Sequence, residues 1–151
     1  MLRKFVSSFL AIVLMVGCSS ASSASKPKDP AGLASTIIED LGLEENVDEV
    51  QARIIPGLFF FEDDVVSASS FYAADKLADC VGVFTTSDPD SCKNSVQEYL
   101  ASRKAQLEMY APSEVFKVDN AVIEANENTV IMIVCENIQD AKEEAEKLLS
   151  E

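Results

Sequence analysis

The stretch 129-TVIMIVC-135 decides the fold of this chain. Every residue from Val130 to Val134 is apolar. Because successive side chains of a strand point to opposite faces, an extended chain here would present apolar side chains on both sides. Such a strand lies in the middle of a sheet or is covered on both faces. The sequence therefore predicts a buried strand from Thr129 to Cys135.

The segments beside this strand predict a hairpin and a closing helix. Ala121 to Ala125 forms the partner strand, and Asn126-Glu127-Asn128 supplies the turn between the two. A helix from about Ile138 then carries its apolar residues at helical spacing. The residues that this helix is expected to bury are Ala141, Ala145, Leu148 and Leu149.

Two more strands and a long helix precede the hairpin. The predicted strands are Val65 to Tyr72 and Leu77 to Thr85, joined by a short loop. The helix begins after its cap Asp88 and runs to about Tyr110, and Pro112 prevents its continuation. Its apolar stripe contains Cys92, Val96, Tyr99, Leu100, Leu107 and Tyr110.

The start of the domain is predicted as one clear helix followed by an ambiguous region. Asp29 caps a helix that begins at Pro30, and Gly42 can end it in a left-handed conformation. Its apolar residues at helical spacing are Leu33, Ile37, Ile38 and Leu41. The region from Leu43 to Pro56 permits a second short helix, and Ile55 to Leu58 is typical of a turn.

These elements predict a single α+β domain over residues 30–151. The domain contains an antiparallel sheet of about four strands, arranged as two hairpins, with helices before, between and after them. The expected order of elements is α-β-β-α-β-β-α. The chain is long enough for one substantial core and too short for two.

The first residues of the chain resemble the signal peptide of a bacterial lipoprotein. A basic start at Arg3 and Lys4 precedes an apolar run, Phe5 to Val16, that is too short to span a bilayer as a permanent helix. The run 14-LMVGC-18 resembles a lipobox, with Met15 where leucine is usual. The alternatives are an ordinary signal peptide cut nearby and an uncleaved anchor.

This resemblance implies that residues 1–17 are removed and that Cys18 carries the lipid anchor, acyl chains such as palmitate. Residues 18–29 are small, polar and interrupted by proline, which is typical of a flexible linker. We therefore expect a lipoprotein held to the cell membrane by Cys18, with its domain on the extracytoplasmic face.

Composition excludes several classes of function. The chain has 26 acidic residues, 12 basic residues and a net charge of −14, and loss of Arg3 and Lys4 with the signal peptide would change this to −16. Such a surface repels phosphate backbones, so a nucleic-acid partner is not expected. The chain contains no histidine, which excludes Ser-His-Asp and Cys-His catalysis and imidazole metal sites.

Three cysteines remain beside Cys18, and their odd number leaves at least one thiol unpaired. Cys80 and Cys92 could close a short loop, or Cys80 and Cys135 could face each other on neighbouring strands. We favour a third interpretation, in which all three are small buried apolar residues, because each has apolar neighbours and none belongs to a CxxC pair.

Two groups of carboxylates are candidate calcium ligands, and the sequence favours neither. Glu62-Asp63-Asp64 lacks a glycine-spaced loop, and Asp88-Pro89-Asp90 is explained by helix capping. Arg103 interrupts the apolar stripe of its helix, and it can extend to solvent from the stripe edge, pair with a carboxylate or bind a ligand anion. The sequence predicts no metal, no cofactor and no catalytic residue.

The chain from about Leu77 to Leu149 resembles one protein family. The resemblance rests on the order of Val81-Gly82-Val83-Phe84 and Asp88, the helix end with Arg103 and Gln106, then Tyr110-Ala111-Pro112 and Asn120-Ala121-Val122. The family is an uncharacterised domain of unknown function, carried mostly by small lipoproteins of clostridia and related Gram-positive bacteria. The resemblance implies no catalytic residue, cofactor or ligand.

The predicted function is a non-catalytic binding or interaction module whose ligand the sequence does not identify, and the negative charge favours a protein partner or a cationic ligand. Its candidate contact residues are Phe59, Phe60 and Phe61, which we expect to open a strand region. Because alternate side chains of a strand diverge, Phe60 should then face away from its two neighbours. The structural alternative is that the three rings anchor the core beneath a loop. The alternative function is a cell-envelope enzyme that uses carboxylate or tyrosine chemistry, with Tyr110 as a candidate, without histidine.

Overall fold

The computed structural model describes residues 28–151. The predictions of a signal peptide over residues 1–17 and of a lipid on Cys18 lie outside the described residues, as does most of the predicted linker. No helix within residues 28–151 combines the length and the apolar composition that a membrane crossing requires.

The described domain contains five α-helices, five strands and two short 3₁₀ helices. The helices are α1 (Pro30–Asp40), α2 (Ile55–Phe59), α3 (Pro89–Tyr110), α4 (Val115–Asp119) and α5 (Ile138–Ser150). The strands are β1 (Asp48–Glu49), β2 (Val66–Ala73), β3 (Cys80–Thr86), β4 (Val122–Ala125) and β5 (Thr129–Val134). The 3₁₀ helices are Ala52–Ile54 and Pro112–Glu114.

The five strands form one antiparallel sheet in the order β1-β2-β3-β5-β4. The predicted α+β class, the two hairpins and the central place of β5 are confirmed, because β5 lies between β3 and β4 with every residue buried. The prediction of about four strands is wrong, because the sheet has a fifth strand, the short edge strand β1. Two residues cannot show a period of two, so β1 is set only by its pairing with β2.

Helices cover both faces of the sheet. On one face, α1 and α5 pack over Val81, Val83, Ile131 and Ile133. On the other face, α2, α3 and α4 pack over Phe84, Val130, Met132 and Val134. These two cores explain why both faces of 129-TVIMIVC-135 are apolar, because each face meets its own layer of helices.

Helix ends follow the local chemistry of the sequence. The side chains of Asp29, Asp88 and Asn137 accept hydrogen bonds from backbone N–H groups in the first turns of α1, α3 and α5. Gly42 has a φ of +64° just beyond α1, which is the left-handed conformation predicted for it. These caps fix the bounds of the three long helices close to their predicted positions.

Two short α-helices and β1 are missing from the expected order α-β-β-α-β-β-α. The second short helix permitted between Leu43 and Pro56 is in fact β1 followed by the 3₁₀ helix Ala52–Ile54. The segment Ile55–Phe59, expected to be a turn, is α2, and Val115–Asp119 is α4. Each has five residues, so neither is long enough to show helical periodicity in the sequence. The expected strand region at Phe59 to Phe61 is also wrong, because Phe59 ends α2 and Phe60 is left-handed, with a φ of 52°.

Candidate functional site

The end of α2 separates the three consecutive phenylalanines. Phe60 adopts the left-handed conformation, and the N–H groups of Phe60 and Phe61 both point back to the carbonyl of Pro56. The reversal at this position leaves Phe60 72 % exposed, while Phe59 is fully buried and Phe61 is half-buried. The chain therefore presents one ring to solvent and packs the two others against the domain.

Phe59 is the centre of an aromatic cluster. Its ring lies 4.4 Å from Tyr99 and 4.9 Å from Phe84, measured between ring centroids. Phe71 and Phe61 follow at 5.1 Å and 5.3 Å. Aromatic pairs at these separations each contribute about 0.5–1.5 kcal/mol beyond the area they bury. Phe59 is a core anchor, and only Phe60 of the three is free to meet a partner.

Phe60 lies between two shallow cavities on the surface of α3. One cavity, of about 290 Å³, lies between the α2 segment and the middle of α3 and is lined by Gly57, Leu58, Phe60, Tyr99, Ser102, Arg103 and Gln106. The other, of about 190 Å³, contains two carboxylates and is lined by Phe60, Glu62, Val65, Ser91, Asn94, Ser95 and Glu98. We call Leu58, Phe60 and the α3 residues that line either cavity the Phe60 surface. These α3 residues are Ser91, Asn94, Ser95, Glu98, Tyr99, Ser102, Arg103 and Gln106.

Arg103 is held rigidly at one end of the Phe60 surface. Its guanidinium donates to the carbonyls of Leu77 at 2.8 Å and Ala74 at 3.4 Å, and to the hydroxyl of Tyr110 at 2.9 Å. Its fourth acceptor is the amide oxygen of Gln106, at 3.4 Å, so its partners are loop carbonyls, a hydroxyl and an amide oxygen. Arg103 anchors the β2–β3 loop to α3, which none of the three predicted roles described.

Tyr110 combines exposure with a fixed orientation. Its ring is half exposed, and its hydroxyl is engaged by Arg103. Leu77, Met109 and Tyr110 are exposed large side chains near the end of α3. Met109 lies three residues after Gln106 and seven after Ser102, so it extends the same helix face. The Phe60 surface therefore continues into exposed apolar side chains toward the C-terminal end of α3.

A buried ionic cluster joins α4 to the loop before β3. Lys117 is 8 % exposed, and its ammonium lies 3.0 Å from a carboxylate oxygen of both Asp79 and Glu114. Burial alone would lower the pKa of Lys117, but hydrogen bonds and charge from Asp79 and Glu114 outweigh it and raise the pKa. Lys117 is therefore a charged structural residue, unsuited to act as a nucleophile.

The same cluster sets the ionisation of Glu114. Burial acts to raise its pKa, but the N–H of Ala78, which donates to its carboxylate at 3.0 Å, and the ammonium of Lys117 lower it overall. Glu114 thus stays ionised and ties the β2–β3 loop to the segment before α4.

The three cysteines are free and buried. Burial raises the pKa of Cys80 and Cys92 to about 12 and also raises that of Cys135, so the thiols stay protonated. Cys80 belongs to the core under α3, and Cys135 belongs to the core under α1 and α5. The two thiols therefore lie on opposite faces of the sheet. The interpretation as small buried apolar residues is confirmed, and the facing arrangement of Cys80 and Cys135 is wrong.

The two predicted acidic groups are neighbours in the fold, because the hydroxyl of Ser87, next to Asp88, donates to the carbonyl of Asp64 at 3.3 Å. Asp88 caps α3, and its hydrogen bonds with the backbone and side chain of Ser91 lower its pKa. Glu62, Asp63 and Asp64 line a cavity of about 270 Å³ beside β2. Within residues 28–151, no group of three or more histidine, cysteine, aspartate or glutamate side chains is placed to hold a metal ion.

Comparison with known proteins gives one match. A family model described as "Domain of unknown function (DUF4358)" matches residues 39–135. The match begins well before Leu77, where the resemblance seen in the sequence began, and ends before α5. It includes β1 to β5, α2, α3 and α4, and thus every residue of the Phe60 surface. No curated protein and no solved structure matches the chain.

Proposed function

The chain belongs to the DUF4358 family, and we propose that it is a non-catalytic interaction module held outside the cell membrane by a lipid on Cys18. Its contact surface is the Phe60 surface. The observation that carries this proposal is the exposed ring of Phe60, which is 72 % exposed although its two neighbours pack against the core. Exposed aromatic and arginine side chains on a rigid support are the usual anchors of protein interfaces.

The geometry of the Phe60 surface supports recognition of a protein. Its cavities, of about 190 and 290 Å³, are shallow depressions beside Phe60. A small-molecule site usually has about 300–1,000 Å³ and encloses its ligand. A protein partner needs no such enclosure, because it can bury the ring of Phe60 in a pocket of its own.

The strained backbone of Phe60 supports a role for its exposed ring. A phenylalanine in the left-handed conformation costs about 1–2 kcal/mol relative to a right-handed one. Glycine would adopt this conformation without that cost. The chain instead places a large apolar side chain there and turns it toward solvent, so we infer that the ring serves a contact outside the domain.

Site-specific photo-crosslinking in intact cells tests the proposal. A benzoylphenylalanine at position 60 should give a discrete adduct with one protein partner. The matched control carries the same group at Phe116, which is 45 % exposed on α4 and lines neither of the two cavities beside Phe60. Adducts of equal yield at both positions, or none at position 60, would contradict the proposal.

The alternative of a histidine-free enzyme rests on Glu62 and Glu98, which line the same cavity. Paired carboxylates can perform glycoside hydrolysis when they flank a bound substrate. We therefore add the double variant Glu62→Gln, Glu98→Gln to the crosslinking experiment. Both substitutions keep the size of the side chain, so an adduct formed through the ring of Phe60 should persist. Hydrolysis of an aryl glycoside by the unaltered chain that is lost in the double variant would favour the enzyme.

A further inference from the structure

Within the described part of the chain, the outer edge of β2 makes no backbone hydrogen bond over its first half, where Pro56 and residues 61–64 line a cavity of about 270 Å³ beside it. β1 covers the other half, because Asp48 pairs with Ala73 and Glu49 with Tyr72. The next contact is the N–H of Val50, which donates to the carbonyl of Phe71 at 2.9 Å. Within residues 28–151, no backbone hydrogen bond reaches the outer side of residues 66–70.

The backbone of Ser69 faces this open side. In an antiparallel strand, the N–H and C=O groups of residues two apart point to the same edge. Since the carbonyl of Phe71 meets β1, the N–H and C=O of Ser69 also point outward. The neighbouring side chains of Ser67 and Ala68 are small and exposed, so they leave the backbone accessible.

The edge carries no charge and no proline. Exposed edges are usually protected by charged residues, proline, short length or β-bulges, because an open edge can pair with another chain. β2 is eight residues long, VSASSFYA, and contains neither a charged residue nor proline. Its pairing with β3 shifts register between Val66 and Ala68, so the unpaired edge is regular only from Ala68 to Ser70. The opposite edge strand, β4, is only four residues long and carries Glu124. The contrast marks the edge of β2 as a place where an extended segment can add to the sheet.

Acidic side chains next to this edge select the occupant by charge. The cavity of about 270 Å³ beside β2 is lined by Glu62, Asp63 and Asp64 together with Ser67 and Ser69. A second copy of the chain is a poor occupant. In an antiparallel pair of copies, residues 62–64 of one would approach β1 of the other, which consists of Asp48 and Glu49, and like charges would repel.

We propose that the outer edge of β2 binds an extended, basic peptide segment by strand addition. The main chain of the peptide pairs with Ser69, and its lysine or arginine side chains meet Glu62, Asp63 and Asp64. The inference goes beyond the proposed function, because it needs neither Phe60 nor the membrane. Its failure therefore leaves the Phe60 surface untouched.

Hydrogen exchange of the Ser69 amide tests the proposal on the full chain in detergent. The probe is the peptide Lys-Val-Lys-Val-Lys-Val-Lys, and its matched control is Glu-Val-Glu-Val-Glu-Val-Glu. We expect the basic peptide to slow exchange of the Ser69 N–H at least tenfold and the acidic peptide to leave it unchanged. Equal effects of the two peptides, or no effect of either, would overturn the proposal.

Hydrogen exchange of the chain without added peptide provides a second test. If the Ser69 amide is already protected before any peptide is added, a segment of the chain itself or a second copy covers the edge. Sedimentation at several concentrations separates these two occupants, because only the second changes the mass. Either result overturns the assignment of a basic peptide.

Matched variants locate the contact. Ser69→Pro removes the outward donor and should weaken binding of the basic peptide at least tenfold, whereas Ser69→Ala keeps the donor and should bind normally. The triple variant Glu62→Gln, Asp63→Asn, Asp64→Asn should lose most of the salt dependence of binding. Phe60→Ala should bind the peptide normally. If Ser69→Pro does not fold, the exchange measurement on the unaltered chain still decides.

Discussion

Phe60 has a backbone conformation that residues with a β-carbon rarely adopt. At ordinary helical positions glycine is less stable than alanine by about 0.5–1 kcal/mol. At a φ of 52° this order should reverse, because alanine keeps the left-handed strain and glycine does not. We expect Phe60→Gly to be more stable than Phe60→Ala by about 1 kcal/mol in denaturant unfolding.

Both variants remove the ring, so both should lose the proposed contact of the Phe60 surface. The comparison thereby separates stability from binding at a single residue. A lower stability of Phe60→Gly than of Phe60→Ala would show that the left-handed conformation is not maintained in solution.

Lys117 lies between two carboxylates, and its removal should be costly. Lys117→Met would leave Asp79, only 3 % exposed, without its partner. Breaking a buried pair in this way costs about 3–5 kcal/mol. The control Lys104→Met breaks an exposed pair with Asp119, which is worth about 0–1 kcal/mol. Urea unfolding of the two variants at neutral pH makes the comparison.

The pKa shifts of this cluster give the stability of the domain a defined pH dependence. The pKa of Glu114 is lowered in the folded state, so its contribution is present above the ordinary glutamate value of about 4.3 and is lost as the pH falls through its folded pKa. The pKa of Lys117 is raised, so its contribution is present below the ordinary lysine value of about 10.4 and is lost at higher pH. Lys117→Met should reduce the alkaline loss without abolishing it, because the raised pKa values of the buried thiols Cys80 and Cys92 also make stability fall at high pH. An unchanged alkaline profile would contradict this assignment.

At the scale of elements, the strands β2 to β5 and the helices α1, α3 and α5 were predicted from the sequence because each shows its own period and end signals. β1, α2 and α4 were not, since two to five residues carry no period and tertiary contacts determine their conformation. The predicted orientation of Phe60 away from Phe59 and Phe61 agrees with the structure, but its cause is the left-handed residue after α2, where an extended strand was expected. The sequence carries no signal for a left-handed conformation at a residue that is not glycine.

Gly82 in β3 is required by the packing of the sheet. A β-carbon at this position would lie 2.8 Å from the ring of Phe84 and 3.2 Å from the terminal methyl of Met132. Both neighbours are fully buried and cannot move aside cheaply. We expect Gly82→Ala to destabilise the domain by about 1–3 kcal/mol.

The matched control for this substitution is Gly57→Ala in α2, where an added β-carbon meets nothing within 4 Å. Because alanine favours helix, this variant should be neutral or slightly stabilising. Thermal unfolding of the two variants distinguishes them. Equal melting temperatures would mean that β3 shifts to accommodate the methyl group.

At the scale of the whole molecule, the N-terminal segment joins the domain at one end of the sheet. The ammonium of Lys28 donates to the carbonyl of Leu148 at 2.8 Å, at the C-terminal end of α5. The side chain of Asn126, in the turn between β4 and β5, reaches the carbonyl of Leu149 at 3.3 Å. The N-terminal segment therefore enters beside this turn, at the opposite end of the sheet from the β2–β3 loop that Arg103 anchors.

The two ends of β2 lie at opposite ends of the sheet, its first residues near the β4–β5 turn and its last residues near the β2–β3 loop. Val66 lies opposite Thr86, and the N–H of Thr86 donates to Asn128 at 2.9 Å, so the open half of β2 is near the turn. Because the predicted linker is flexible, an anchor at Cys18 would bias this end toward the membrane without fixing the orientation of the domain. The proposed peptide site would then lie nearer the tether than the side chains of Leu77 and Tyr110 at the apolar end of the Phe60 surface.

The anchor that this orientation assumes can be tested by Cys18→Ser. Two acyl chains hold a protein stably to a bilayer, whereas one chain gives only marginal binding. We expect the unaltered chain to label with palmitate and to sediment with membranes, and the variant to appear in the medium or to accumulate uncleaved. The control Cys135→Ser alters a buried thiol of the folded domain and should keep the lipid label. If the unaltered chain takes up no lipid and Cys18→Ser fractionates with it, the domain is held by some other means and the orientation above has no basis.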